Sequence, residues 1–533
     1  MKKIVCFCLI AAFVVTLAGC NKNENTKELS SNVSVKDAQI EGKKNGFSLL
    51  YCYADSFNPY SATSELNRKI GSLLFDSLVK TDNNLKPVYY LAQSISNKGT
   101  VCKVTLKDAK FSDGSSVTAN DVKYSFNAAK NSKTKYSAQL YEVSYLTVTS
   151  SKTLAFHLNR KDPYFVNLID FPIFKAGSEK RVNSDGVLYP PTGCGRYVLS
   201  SNRRALKANP KYYGKKGEIK TINLIDAPDS DSVSHYVEIG AADIYYNDDS
   251  DGNIVRMSGK KTDVNLTNLV YIGVNHSYGD LGSKYMRYAI SSAINRAAIC
   301  QGAYYNNALS ATGFFSPVIK AVKPIQTISD KNENEITVEN LDKIGYNRLD
   351  KHGFYENSNG NHPVYSLLVN KENQSRVMAA NLISSQLKSA GIDVNVKAVS
   401  YKQYKSDLKK GRFELYLGEI NILPNMDMSE LVIPSGKAAY GLSNKSKKTA
   451  NAKQIKEKNK EQKEDGISCK EVIRNFYKGK SSLVDVAGIL LTEMPQIPVC
   501  YRKGLLFYSS DIKNKVEASQ SDIYLGFEKY LLN

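Results

Sequence analysis

Asn247, Asp249 and Asp251, followed by Gly252, are spaced like the first oxygen donors of a calcium loop, the pattern in this chain most suggestive of metal chemistry. The closing bidentate carboxylate would fall at Ser258, whose single hydroxyl cannot supply two oxygens, so the stretch reads as a solvated turn. The five histidines, His157, His235, His276, His352 and His362, lie far apart and form no ligand pair. There is no G-x-S-x-G elbow, no H-E-x-x-H helix and no Walker phosphate loop. With no nucleophile and base together, the expectation is a protein without catalysis, metal or cofactor.

One cysteine has another chemistry open to it. Lys2 and Lys3 begin the chain and Ile4 to Ala18 is an apolar run of 15 residues, too short to favour a stable membrane span. The run ends in Leu17-Ala18-Gly19-Cys20, which resembles the bacterial lipobox, where the thiol receives a diacylglyceryl group and cleavage leaves the cysteine first. Residues 1–19 are therefore expected to be a signal peptide, Cys20 the lipidation site, and residues 20–45, polar and without aromatics, a flexible tether. The mature protein is expected at the cell membrane, lipid-anchored on the extracytoplasmic face.

The elements that would have to position any site fit a large soluble chain. At 533 residues, 42% hydrophobic and 23% charged, it can bury several cores, and no second long apolar run follows the leader. A formal charge of +20 could suit nucleic acid, but an exported chain meets anionic membrane or cell wall instead, so no nucleic-acid partner is expected. Beyond the leader and Cys20 lie Cys52, Cys102, Cys194, Cys300, Cys469 and Cys500, none in a C-x-x-C pair, and these read as buried free thiols. There are 35 tyrosines and no tryptophan, so tyrosine must supply any stacking surface.

Phe47 to Tyr53 reads as a strand followed by the turn Ser56-Phe57-Asn58-Pro59. Ile70, Leu73, Leu74 and Leu78 recur at helical spacing with Phe75 near the same face. Tyr285 to Cys300 reads as one helix, and Gln374 to Ala390 as another that Gly391 ends. Ile392, Val394, Val396 and Ala398 then alternate as a strand, and the order helix, glycine, strand indicates mixed α/β layers. Lys445 to Glu464 holds eight lysines and three glutamates and reads as a solvated helix or loop. Ile497–Tyr501 and Leu505–Tyr508 read as two closing strands.

A set of ordered segments resembles the family 5 solute-binding proteins of ABC importers, the group that includes oligopeptide- and dipeptide-binding lipoproteins. The segments are Phe57-Asn58-Pro59, Leu74 to Val79, Leu91-Ala92-Gln93-Ser94, and above all Phe111-Ser112-Asp113-Gly114 followed by Thr118-Ala119-Asn120-Asp121-Val122. Gly193-Cys194-Gly195-Arg196-Tyr197 and Asn209 to Tyr213 continue the likeness, although Cys194, Arg196 and Tyr213 depart from the family pattern. Met286 to Arg296, Gln386 to Ile392 and Met494 to Pro498 complete it, so that it spans about residues 50–512. Read as residues, most of these motifs specify fold: Phe111 and Val122 look like core, Asp113-Gly114 a turn, and Thr118 a helix cap.

The resemblance implies an α/β, periplasmic-binding-protein-like fold: two lobes around a hinged cleft, plus an extra inserted domain. The first lobe would be discontinuous, residues 46–78, 190–275 and 490–533, the inserted domain 79–189 and the second lobe 276–489. The implied function is capture of a peptide and delivery to the permease subunits of an ABC importer, by a monomer. Other solutes on the same scaffold, such as a nickel chelate or an oligosaccharide, and a peptide-sensing lipoprotein are the alternatives. Peptide binders of this family place a carboxylate in the second lobe, after a tryptophan, to receive the ligand's ammonium group. Here the tryptophan is absent; Glu419 or Asp427 could serve, with Asn421 a neutral substitute. Ser64, Glu65 and Asn67 fall where the first lobe approaches ligand, and Tyr440 with Asn444 falls in a loop near the cleft.

Overall fold

The computed structural model describes residues 46–180, 189–248, 257–442 and 467–532. Cys20, the leader, the tether, Asp249 and Asp251, Asn444 and the lysine-rich run lie outside these residues.

Strand β1 (Phe47–Tyr51) is apolar on both faces and buried at every position, as a strand covered on both sides must be. Helix α1 (Glu65–Leu74) buries Ile70, Leu73 and Leu74 and stops at Phe75, whose backbone is already extended, so Leu78 lies beyond the helix. The chain then leaves for a separate four-stranded antiparallel sheet built from β2 (Ala92–Lys98), β3 (Val101–Leu106), β4 (Val143–Ser150) and β5 (Thr153–Leu158), in the order β2-β3-β5-β4. Between β3 and β4 runs α2 (Ala119–Lys130), started by a capping box in which Thr118 and Asp121 exchange hydrogen bonds. Phe111 and Val122 are wholly buried in the core of this unit.

The chain returns through β6 (Tyr197–Leu199), β7 (Ala205–Ala208) and β8 (Thr221–Asp226), which align beside β1 in the order β1-β8-β7-β6, with β1 and β8 parallel. A second, seven-stranded sheet follows. It uses β9 (Ile244–Asn247), β10 (Lys260–Val274), β11 (Ala308–Ser310), β12 (Val364–Asn370), β13 (Asp393–Val399), β14 (Leu415–Asn421) and β15 (Ile497–Tyr508). Its order is β9-β15-β10-β14-β12-β13, with β11 on the free side of β15. The two closing strands expected from the sequence are one twelve-residue strand, because Lys503 and Gly504 keep the ladder to β10 and Arg502 pairs with Ala308 of β11.

The expected helix from Tyr285 to Cys300 is two: α3 (Lys284–Ala293) and α4 (Arg296–Gly302). Ile294 is extended and the Asn295 side chain accepts from the Ala298 amide at 2.8 Å, so a fresh N-cap outcompetes continuous periodicity. Helix α5 (Gln374–Ser389) ends as expected before Gly391, which has φ +80°.

Besides the core of the inserted unit, two large cores result, and β10 and β15 thread both. Val264, Leu266, Leu506 and Tyr508 belong to the core around β1 and α1, whereas Leu269 to Val274 and Val499 to Tyr501 belong to the core around α3, α5 and β12. The ladder between these strands shifts register between Asn265 and Leu269, where one core gives way to the other. Among the described residues no helix is long and apolar enough to cross a membrane.

Candidate functional site

A cavity of about 900 Å³ opens between the half built around β1 and α1 and the inserted unit, near the upper end of small-ligand sites. Its wall comes from several distant stretches. The first is the Pro59 to Thr63 turn with the exposed face of α1, including Glu65, Arg68 and Lys69. Lys133 to Tyr136 and Asp170 come from the inserted unit, Gln520, Ser521 and Ile523 from the C-terminal segment, and Leu266, Asn268 and Asn421 from the register shift and the end of β14.

Tyrosine supplies the ring surface, as the missing tryptophan requires. Tyr60, Tyr136 and Tyr246 line the cavity, with Tyr60 and Tyr136 edge to face at 5.9 Å and the Lys69 ammonium 4.3 Å from the Tyr246 ring centre. The Tyr60 hydroxyl donates to the Pro172 carbonyl, which fixes the ring of the first turn against the inserted unit.

Glu65, expected at the site from sequence, lines the cavity and is held by Arg68 at 2.5 Å and Lys69 at 3.2 Å. Asn421 lines it too and donates to Asn268 at 2.8 Å. Asn67 does not reach it. That side chain is 1% exposed and clamps the β1–α1 connection, accepting from the Cys52 amide and donating to the Cys52 carbonyl, both at 2.9 Å.

The two carboxylates considered for a ligand ammonium are both engaged by arginine. Glu419 lies one residue layer behind the wall, bonded by Arg376 at 2.8 Å, faced by Arg502 at 3.6 Å, and accepting from Asn268 at 2.9 Å. Burial works to raise its pKa, but the two arginines and the Asn268 amide outweigh it and hold the carboxyl below its ordinary value. Asp427 lies away from the cavity and bonds Arg160 of the inserted unit at 2.5 Å, while that guanidinium stacks 3.6 Å from the Tyr477 ring centre. Tyr440 is half-buried, with its ring 6.2 Å from that of Tyr416, and is not in the cavity wall.

Asp427 belongs to a second feature, a junction between the inserted unit and the half built around β12 to β14. Asn425 donates to Asp162 at 2.7 Å, Asn167 to the Pro424 carbonyl at 3.0 Å, and Tyr164 stacks on Phe476 at 6.3 Å. Asp162, Asn167 and Asn425 are all under 5% exposed, so this is a sealed contact.

In the cavity wall, Lys80 is buried and paired with Asp522 at 2.9 Å and Asp76 at 3.6 Å. Asp522 is faced by Arg196 at 3.7 Å, so Arg196, one departure from the family pattern, has a buried partner. Tyr213, another departure, donates to Asp76 at 2.8 Å. No cluster of three metal-ligating side chains occurs among the described residues.

The family model for bacterial extracellular solute-binding proteins, family 5 (middle region), matches residues 86–440. The chain belongs to this family. Among relatives of this family 5 protein, the oligopeptide-binding protein AppA of Bacillus subtilis is 22% identical over 422 residues, 74% of this chain and 75% of AppA. The structure of AppA with a nonapeptide superposes with TM-score 0.53 at 18% identity, covering 91% of this chain and 99% of that one. The structure of NikA from Brucella suis with Fe(III)-EDTA superposes with TM-score 0.63 at 17% identity, covering 92% and 100%. The two-lobed fold is thus common to relatives whose bound molecules differ.

Sequence reasoning missed Tyr60, Tyr136, Lys135, Asp170 and the Gln520 to Ile523 stretch of the family 5 protein. None sits in a motif. The one available hint was the tyrosine surplus, which says what kind of ring lines a site but not where.

Proposed function

We propose that this protein is the substrate-binding component of an ABC importer and that its ligand is a peptide. The observation that carries the reading is the large cavity walled by the half built around β1 and α1 and by the inserted unit, with Asn421 reaching it from the end of β14. Short polar groups, Ser61, Thr63, Ser72, Asn268, Asn421 and Gln520, alternate there with tyrosine rings. Such a wall hydrogen-bonds the repeating amides of an extended ligand while leaving its side chains room to vary.

Glu65 and Asn421 touch the ligand, Asn67 and Glu419 hold the wall from behind, and Asp427 and Tyr440 act through the junction and the loop beside it. The first lobe comprises 46–78, 190–275 and 490–533, the inserted domain 79–189 and the second lobe 276–489, with the pivot inside β10 and β15 where their register shifts. Closure about that pivot takes the ligand out of water. The protein performs no catalysis, works as a monomer, and is moored outside the cell by a lipid on Cys20.

A second reading, an anionic metal chelate, is favoured by Arg68, Lys69 and Lys133 in the wall. Calorimetry with a peptide library, beside nickel and iron chelates, separates the two. Peptide binding in the micromolar range or tighter supports the proposal; chelate binding without peptide binding overturns it. Replacing Cys20 by Ser should release the protein from the membrane fraction, and continued membrane retention would remove the lipid from the account.

A further inference from the structure

Cys300 and Cys500 meet inside the second core. Cys300, on α4, is 5% exposed and Cys500, on β15, is 0% exposed, and neither is disulfide-bonded. Strand β11 connects them geometrically. Ser310 is the cross-strand partner of Cys500, which puts their Cβ atoms about 5 Å apart on one face of the sheet. The Ser310 hydroxyl is also 3.8 Å from Cys300 Sγ. Ser310 therefore neighbours both cysteines, which lie close enough for each thiol to perturb the other. The sequence places these cysteines 200 positions apart with no motif around either.

We propose that Cys300 and Cys500 form a disulfide when the chain folds in an oxidising compartment, stapling α4 to the strand that threads both cores. The oxidant is a small disulfide of the glutathione class or an oxidoreductase disulfide. A Cys300 thiolate attacks one of its sulfurs and releases the other as a thiolate, giving a mixed disulfide. The Cys500 thiolate then attacks Cys300 Sγ and displaces the second oxidant sulfur, so two protons and two electrons leave the pair and the oxidant departs as two thiols. Because both sulfurs are sealed in the finished fold, exchange takes place before the second core closes.

The test refolds the full-length chain with oxidised glutathione or with a phosphine reductant, alkylates under denaturing conditions, and maps peptides without reduction. Oxidised protein should yield a linked pair of peptides carrying Cys300 and Cys500, lighter by two hydrogens than the free peptides, and should melt several degrees above the reduced form. Cys300→Ser and Cys500→Ser should each abolish the linked pair and the redox dependence of melting while keeping the native circular dichroism spectrum. Separately alkylated Cys300 and Cys500 in the oxidised, folded chain would overturn the proposal. So would a redox-dependent melting shift that survives in Cys300→Ser.

Discussion

Glu419 keeps its charge with a side chain only 6% exposed because Arg376 and Arg502 face it together. Replacing it by Gln would leave the buried Arg502 and the partly buried Arg376 without the carboxylate that faces them. Removing one partner of a buried ion pair costs about 3–5 kcal/mol, far more than the pair itself contributes. Glu419→Gln should accordingly lower the denaturant midpoint markedly, and an unchanged midpoint would show that the arginines find other partners. Glu65 is the opposite case, an exposed carboxylate in the cavity wall whose loss should barely affect stability. Glu65→Gln should weaken free-amine peptides about tenfold relative to their N-acetylated forms, the size of one charge-assisted hydrogen bond. Acidity acts at the same scale. Burial and the neighbouring Arg287 hold His276 down from 6.5 to about 4, so the unfolded chain binds that proton more readily and stability drains as pH falls from about 6.5 to about 4. Glu419 and Asp522 are likewise held below their ordinary values, by arginine and lysine outweighing burial. Their contribution is full above the ordinary carboxylate range and is lost as pH falls through and below it. Melting temperature against pH should thus decline in two stages, and His276→Asn should remove the first.

The end of α1 shows how one element constrains another. Leu74 closes the helix, and its free carbonyl accepts from the Gly195 amide at 2.9 Å, so the Gly193-Cys194-Gly195 segment runs hard against the helix terminus. A Cβ on Gly193 would lie 2.0 Å from the Leu74 oxygen, and one on Gly195 would lie 2.4 Å from the Leu73 oxygen. The glycines are needed for close approach rather than for an unusual φ. Gly193→Ala should cost at least the 1–3 kcal/mol typical of overpacking, about what a misplaced side chain against backbone demands. Thermal unfolding checks this, and Gly488→Ala, inside a helix where nothing lies within 4 Å, is the comparison expected to stabilise slightly, by about 0.5–1 kcal/mol. The α1 terminus also sets the site, because Phe75 and Ser77, just past it, line the cavity.

At the scale of the molecule, β10 and β15 matter most, because each runs unbroken through both cores. Unfolding one half strips a partner strand from the other. Calorimetry should therefore find one cooperative transition, and two well-separated transitions would contradict a shared sheet. The junction around Arg160 is the other tie between the halves. Arg160→Ala leaves Asp427 at 12% exposure without its ion pair and uncovers the Tyr477 ring. With the arginine itself 28% exposed, solvent screening reduces the expected loss to about 1–3 kcal/mol.

The amino-acid sequence alone determined the local matters and the family. Apolar periodicity marked β1, α1, α5 and β13, Thr118 marked a helix cap, Gly391 marked a helix end, and the chain of motifs around Asp113-Gly114 marked the fold. These signals are legible because each depends on neighbours within a few residues. Tertiary structure decided which paired carboxylates are sealed inside and which stay exposed at the cavity. Glu419 and Asp427 look alike as letters to Glu65; only the arrival of Arg376, Arg502 and Arg160 from distant elements removes the first two from the cavity wall. It also assembled that wall from Tyr60, Tyr136, Asp170, Asn421 and Ile523, because the charge partner and the open face of a side chain are set by long-range packing that no local pattern encodes.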